Sequence, residues 1–201
     1  MRKLLHGVLA AGAAALLLAL PVVTLPVWAA SDPGQLVKNV TTQVVDISRT
    51  KSGASRDAAF REVLRNNFDL AHIARQTLGA HWNQLSEGQQ ARFLAALEAA
   101  EARAYGERLA KLAAQAVTID NVVARPNGVS LVNAVFTQAN GRTMKIEWEV
   151  HDDGRGPRIA DLKVAGISMS QMKRSEFNSY IESNGGIVEP LVKELEARAN
   201  R

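Results

Sequence analysis

Along residues 36–47 the apolar side chains Leu36, Val37, Val40, Val44 and Ile47 fall within one arc of a helical wheel, with Lys38, Gln43 and Asp46 outside it. That pattern predicts an amphipathic helix. Phe60, Val63, Leu64 and Phe68 repeat at helical spacing, and Leu70, Ile73, Ala74 and Leu78 continue until Gly79 supplies a stop. The intervening residues 50–55 are small, polar and glycine-containing, so they read as a flexible joint between helices rather than between domains. Ser86 followed by Gln89 is a capping-box pattern, in which the Gln89 carboxamide reaches back to the Ser86 amide. It predicts the start of a long helix running to about residue 114.

After Gln115 the period changes from helical to alternating. Residues 117–119, 129–136, 144–150 and 159–164 are strand-like, with Pro126-Asn127-Gly128, Asn140-Gly141 and Asp153-Gly154 between them as turns. In the third strand Met144, Ile146, Trp148 and Val150 alternate with Lys145, Glu147, Glu149 and His151, so one face is apolar and the other meets water. Helical patterns at 170–182 and 187–199 follow, the second with Val188, Leu191, Val192 and Leu195 on one stripe. The predicted architecture is α+β: a twisted four-stranded antiparallel sheet with helices packed on its concave face. Helices that cover such a face without filling it enclose an apolar cavity.

The N-terminus alters this picture. Arg2 and Lys3 precede an uncharged apolar run over residues 4–20, then Pro21 and the small-residue site Val27-Trp28-Ala29. That order predicts a secretory signal peptide over residues 1–29, with a single domain over 30–201. The competing reading is an uncleaved membrane anchor that tolerates Pro21 and Pro26. Removing residues 1–29 takes away two basic side chains and no acidic ones, so the net charge of +4 falls to 4 − 2 = +2. The chain has no cysteine, so after export its stability rests on its core and not on disulfides.

The same absence excludes thiolate nucleophiles and thiolate metal ligands. Beyond His6 the histidines are His72, His81 and His151, and no pair has the spacing of a helical metal site. Neither the serine-hydrolase elbow, the phosphate-binding loop nor the dinucleotide glycine fingerprint occurs in the sequence. Basic residues are scattered among acidic ones without an interleaved aromatic stripe, so nucleic acid is not an expected partner. Taken alone, these features describe an exported aliphatic-rich binding module.

The stretch from Phe68 through Asp69, Leu70, His72, Ile73, Arg75 and Leu78 to Gly79, followed by Trp82, Gln89-Gln90, Phe93, Tyr105 and Leu109, resembles the MlaC or toluene-tolerance family. In the second half, Ile159-Ala160-Asp161-Leu162-Lys163-Val164-Ala165-Gly166-Ile167-Ser168 is similar to the family's Val-x-Asp-Val-x-Val-x-Gly-Val-Ser segment. Arg174 to Phe177 looks like its Arg-x-x-Phe, and Asn184-Gly185-Gly186 with Leu191 and Leu195 matches its usual ending. The resemblance implies a periplasmic phospholipid-binding protein of an ABC transport system, working without a chemical reaction. It implies no cofactor apart from bound phospholipid as cargo, and a monomer. Its partners would be an inner-membrane ABC transporter complex and an outer-membrane lipoprotein complex.

In such a carrier acyl chains lie between sheet and helices. The residues expected on that pocket are Phe68, Leu70, Ile73, Leu78, Phe93, Leu97 and Tyr105 from the helices and Ile146, Trp148 and Val150 from the apolar strand face. Arg75 and Asp161 match family positions and read as structural, Asp161 as a residue fixing the turn toward Gly166 and Ser168. Glu101 departs from the family, standing in an apolar arc with Phe93, Leu97 and Tyr105 where an aliphatic residue is usual. An isolated carboxylate is costly there, so it should be paired, protonated or at a pocket mouth. The segment Met169-Ser170-Gln171-Met172 also departs from the family's commoner run. Three alternatives remain open at this level: a carrier of another lipid such as a hopanoid, an enzyme using Asp161 or Glu101 as acid or base, and an envelope adaptor with a filled core.

Overall fold

The computed structural model describes residues 32–112, 114–138 and 140–200, so the expected signal segment, residues 1–29, lies outside the described residues. Helix α1, Pro33–Thr50, starts where Asp32 accepts a 2.8 Å hydrogen bond from the Gly34 amide and Pro33 takes the first helical position. Helix α2, Gly53–Asn67, follows after Lys51 and Ser52, so the expected joint at 50–55 is shortened to two residues and its other positions are helical. Phe68 then leaves the helical path and forms a parallel bridge to Ile159, while the Asp69 amide donates to the Ile159 carbonyl at 2.9 Å. Asp69 caps α3, Leu70–Leu78, by accepting from the His72 amide. A short 3₁₀ helix, Gly79–Gln84, leads to the long α4, Glu87–Leu112. The expected capping box is formed: the Ser86 amide donates to Gln89 Oε1 at 2.9 Å and the Gln89 amide to Ser86 Oγ at 3.4 Å.

Strands β1 (Ala114–Ala124), β2 (Val129–Gln138), β3 (Thr143–Asp152), β4 (Pro157–Val164) and β5 (Ile167–Ser168) form one antiparallel sheet in sequence order. The sheet therefore has five strands, where the sequence pattern predicts four. The extra strand is two residues long and turns back on β4 through Ala165 (φ 51°) and Gly166 (φ 82°). Two residues are too few to display an alternating period. Helices α5 (Met169–Ser183) and α6 (Glu189–Asn200) complete the chain. Among the described residues no helix is long and apolar enough to cross a membrane.

Two apolar clusters hold the layers together. The first joins one sheet face, with Val132, Phe136, Ile146, Trp148 and Val150, to Val37 and Val40 of α1 and Phe60 and Val63 of α2. A second gathers Leu78, Phe93, Leu97, Phe177, Ile181 and Leu195 from α3, α4, α5 and α6. Ile73 packs against both. On the opposite sheet face, Glu147 of β3 and Lys163 of β4 stand directly across from one another and pair at 2.7 Å.

The turn between β1 and β2 shows where glycine is needed. Gly128 has φ 71°, and a side chain there would place its Cβ 2.2 Å from the Asp152 carbonyl oxygen, whose amide donates to the Gly128 carbonyl at 2.9 Å. Gly141, at φ 78°, has open space around it. Gly141→Ala should cost only the left-handed backbone strain of about 1–2 kcal/mol. Gly128→Ala should cost about 1–3 kcal/mol from strain plus the displacement of a backbone group that cannot swing away. Thermal melting of the two variants should order them wild type, Gly141→Ala, Gly128→Ala, and the reverse order of the two variants would contradict the close approach.

Candidate functional site

Where the two clusters meet, an apolar cavity of about 50 Å³ opens between α2, α3, α4, β4 and the start of α5. Helix periodicity delivers its walls. Leu70, Ile73 and Thr77 line it from one face of α3, and Leu97, Glu101 and Tyr105 from one face of α4. Leu64 of α2 and Phe68, held out of the helix by its bridge to Ile159, close one side. Leu162 of β4 and Met169 of α5 line it as well.

The structure thus brings Phe68, Leu70, Ile73, Leu97 and Tyr105 of the expected residues together on one cavity. Leu78 and Phe93 lie elsewhere, in the second cluster, buried to 3% and 0% exposure. Ile146, Trp148 and Val150 lie in the first cluster against α1 and α2 and line no part of this cavity. Sequence reasoning did not single out Leu64, Thr77 or Leu162, nor the polar Glu98, Ser170 and Lys173, which also line it. Leu64 carries a helical period and Leu162 stands in a strand-like stretch, but neither signal distinguishes a cavity wall from packed core.

The charged residues on the wall are each engaged. Glu98 accepts from Arg65 at 2.8 Å. Asp161 accepts from Ser168 Oγ and, at 3.0 Å, from the Ser170 amide, while Ser168 Oγ accepts from the Gln171 amide at 3.1 Å. Asp161 therefore ties β4 to the first turn of α5, the structural role its position suggests. Glu101 is paired, one of the outcomes its apolar arc requires: Lys173 Nζ lies 2.9 Å away, and both side chains are only 14% exposed. Lys173 also lies 3.4 Å from Glu176 and 5.8 Å from the centre of the Phe177 ring. Burial works to raise the Glu176 pKa, but Arg198 and Lys173 outweigh it and hold the carboxyl below its ordinary value.

On α3, burial lowers the pKa of His72, and the neighbouring His151, whose ring stands edge-on at 4.8 Å, lowers it further. His151 itself bonds Glu149 at 2.7 Å. Among the described residues, no group of three or more histidine or acidic side chains could hold a metal ion. What the cavity offers chemically is apolar contact, with the Glu101–Lys173 ion pair contributing both its partners to the wall.

The model of the MlaC protein family matches residues 35–197. Among solved structures, the fold is similar to that of a phospholipid-binding protein from Ralstonia solanacearum, determined in complex with a phospholipid, with a TM-score of 0.70 and 19% sequence identity. The likeness covers 85% of this chain and 98% of that one. No curated protein matches the chain.

Proposed function

The chain belongs to the MlaC family, and we propose that it is a phospholipid carrier that takes up acyl chains between its helices and sheet and releases them unaltered. One observation carries this reading: a member of this family places Phe68, Leu70, Ile73, Leu97 and Tyr105 around a shared apolar cavity at the junction of its two cores. The bound phospholipid of the Ralstonia solanacearum protein supports the same choice of cargo.

Energetics favour an apolar site for such cargo. Withdrawing about 16 methylenes from water is worth roughly 13 kcal/mol at about 0.8 kcal/mol each, whereas an exposed ion pair contributes about 0–1 kcal/mol. A cavity of about 50 Å³ is smaller than the roughly 300–1,000 Å³ of pockets that enclose a ligand. Loading therefore requires the walls to separate, and the lipid fills the space that opens. In this reading residues 1–29 direct export and residues 30–201 act in the periplasm as a monomer. Cargo passes between an outer-membrane lipoprotein complex and an inner-membrane ABC transporter complex, each met transiently.

Organic extraction of protein purified without detergent, followed by mass spectrometry, tests the cargo. The expected result is about one phospholipid per protein. A polycyclic lipid in its place would reassign the cargo, and protein free of lipid would sink the carrier reading.

A further inference from the structure

Two of the residues on the apolar cavity, Glu101 and Lys173, also line a second and very different space. This is a polar groove of about 470 Å³ between α4, α5 and α6, whose walls carry Arg103, Glu107, Glu176 and Arg198. The ion pair is thus the partition between an apolar cavity and a charged groove. It also spans two helices, Glu101 on α4 and Lys173 on α5, next to the edge-on contact of Phe93 with Phe177 at 6.1 Å.

The other charges on the cavity wall have partners that a ligand would not need to disturb. Glu98 is held by Arg65, and Asp161 is committed to the start of α5. The Glu101–Lys173 pair caps no helix and closes no turn. Its two side chains are largely withdrawn from water, and a buried pair of this kind contributes little net stability but is costly when one partner is left alone.

Resting on the carrier reading above, the geometry points to the Glu101–Lys173 pair as the headgroup site, one that selects a zwitterionic phosphate headgroup. Acyl chains occupy the apolar cavity and the headgroup projects into the polar groove. The lipid phosphate takes the place of the Glu101 carboxylate on the Lys173 ammonium, and the primary ammonium of the headgroup takes the place of Lys173 on Glu101. One buried ion pair is exchanged for two, and no charge is stranded. A headgroup with a phosphate but no cation satisfies Lys173 and leaves Glu101 unpaired at 14% exposure. Selectivity in this arrangement comes from the penalty on the wrong headgroup as much as from attraction to the right one.

The test offers the delipidated protein equimolar phosphatidylethanolamine and phosphatidylglycerol with identical acyl chains in mixed vesicles, and quantifies both lipids on the reisolated protein. Wild type should favour phosphatidylethanolamine by about tenfold, a ratio equivalent to about 1.4 kcal/mol. Glu101→Gln should bring the ratio close to one by raising phosphatidylglycerol uptake. Lys173→Met should lower both lipids by about tenfold, because both present the phosphate. If Lys173→Met folds poorly, the double variant Glu101→Leu with Lys173→Met removes the pair without stranding a charge, and it should fold and take up lipid without headgroup preference. A wild-type ratio near one, an unchanged ratio in Glu101→Gln, or a double variant that keeps the wild-type preference would overturn the assignment. A wild type that takes up neither lipid would instead count against the carrier reading itself.

Discussion

Truncating Phe177 to alanine is expected to destabilise the domain by about 3–5 kcal/mol, a large share of the roughly 5–15 kcal/mol that holds a domain of ordinary stability together. Phe177 is fully buried, and its ring stands edge-on to Phe93, which is itself edge-on to Trp82 at 6.5 Å. Those contacts fasten α5 to α4 and α4 to the short 3₁₀ helix, and the rest of the second cluster closes round them from α3 and α6. Removing the ring therefore leaves a void bounded by several elements that cannot all collapse into it. A loss of this size lowers the thermal midpoint by about 6 °C or more in a chain of this length. Urea unfolding gives the sharper measurement: the midpoint should fall while the slope stays at its wild-type value. A loss below about 1 kcal/mol would mean that the second cluster is loosely packed and that α5 is held mainly by its polar contacts.

The elements of this fold are legible in the sequence wherever a period runs for more than a few residues. In β3 the alternation of Ile146, Trp148 and Val150 with charged residues corresponds to three buried side chains facing α1 and α2. The Ser86 and Gln89 pair marks the start of α4 because the motif contains both halves of its own hydrogen bonding. Legibility fails where a long-range contact overrides local pattern. Phe68 continues the apolar period of α2, yet it leaves the helix to bridge Ile159, some ninety residues further on, and no local signal announces that partner. Strand β5 is legible only as the turn before it.

The site divides in the same way. Leu70 and Ile73, or Leu97 and Tyr105, share a helical face by their spacing, so their convergence follows from periodicity once the helices are placed. Leu78 and Phe93 satisfy the same patterns but face the second cluster, because α3 and α4 each bury side chains toward more than one neighbour. Glu101 is conspicuous in the sequence as a carboxylate in an apolar arc, which indicates that a partner is needed but not which residue it is. Lys173 supplies it from a helix on the far side of the sheet in chain order, and a lysine among polar neighbours carries no signal of that role.

Filling the cavity should separate cargo space from packed core, and Ile73→Trp is the substitution that does so. Ile73 is half-buried, lines the cavity and touches both clusters, so a larger ring at this position has spare volume to enter. The variant should retain less than about a tenth of the wild-type lipid while losing less stability than the same ring placed in packed core, since the cavity of about 50 Å³ takes up much of the added volume. Val150→Trp is the matched comparison. Val150 is 1% exposed within the first cluster and borders no part of the cavity, so the same indole overpacks the sheet face. It should cost about 1–3 kcal/mol or more, and the fraction that remains folded should carry lipid at the wild-type level. Measuring lipid per folded molecule together with melting for both variants gives opposite patterns if the cavity below α3 holds the cargo. Lipid retained in Ile73→Trp, with lipid lost from a stable Val150→Trp, would place the acyl chains against the sheet face of Ile146, Trp148 and Val150 instead.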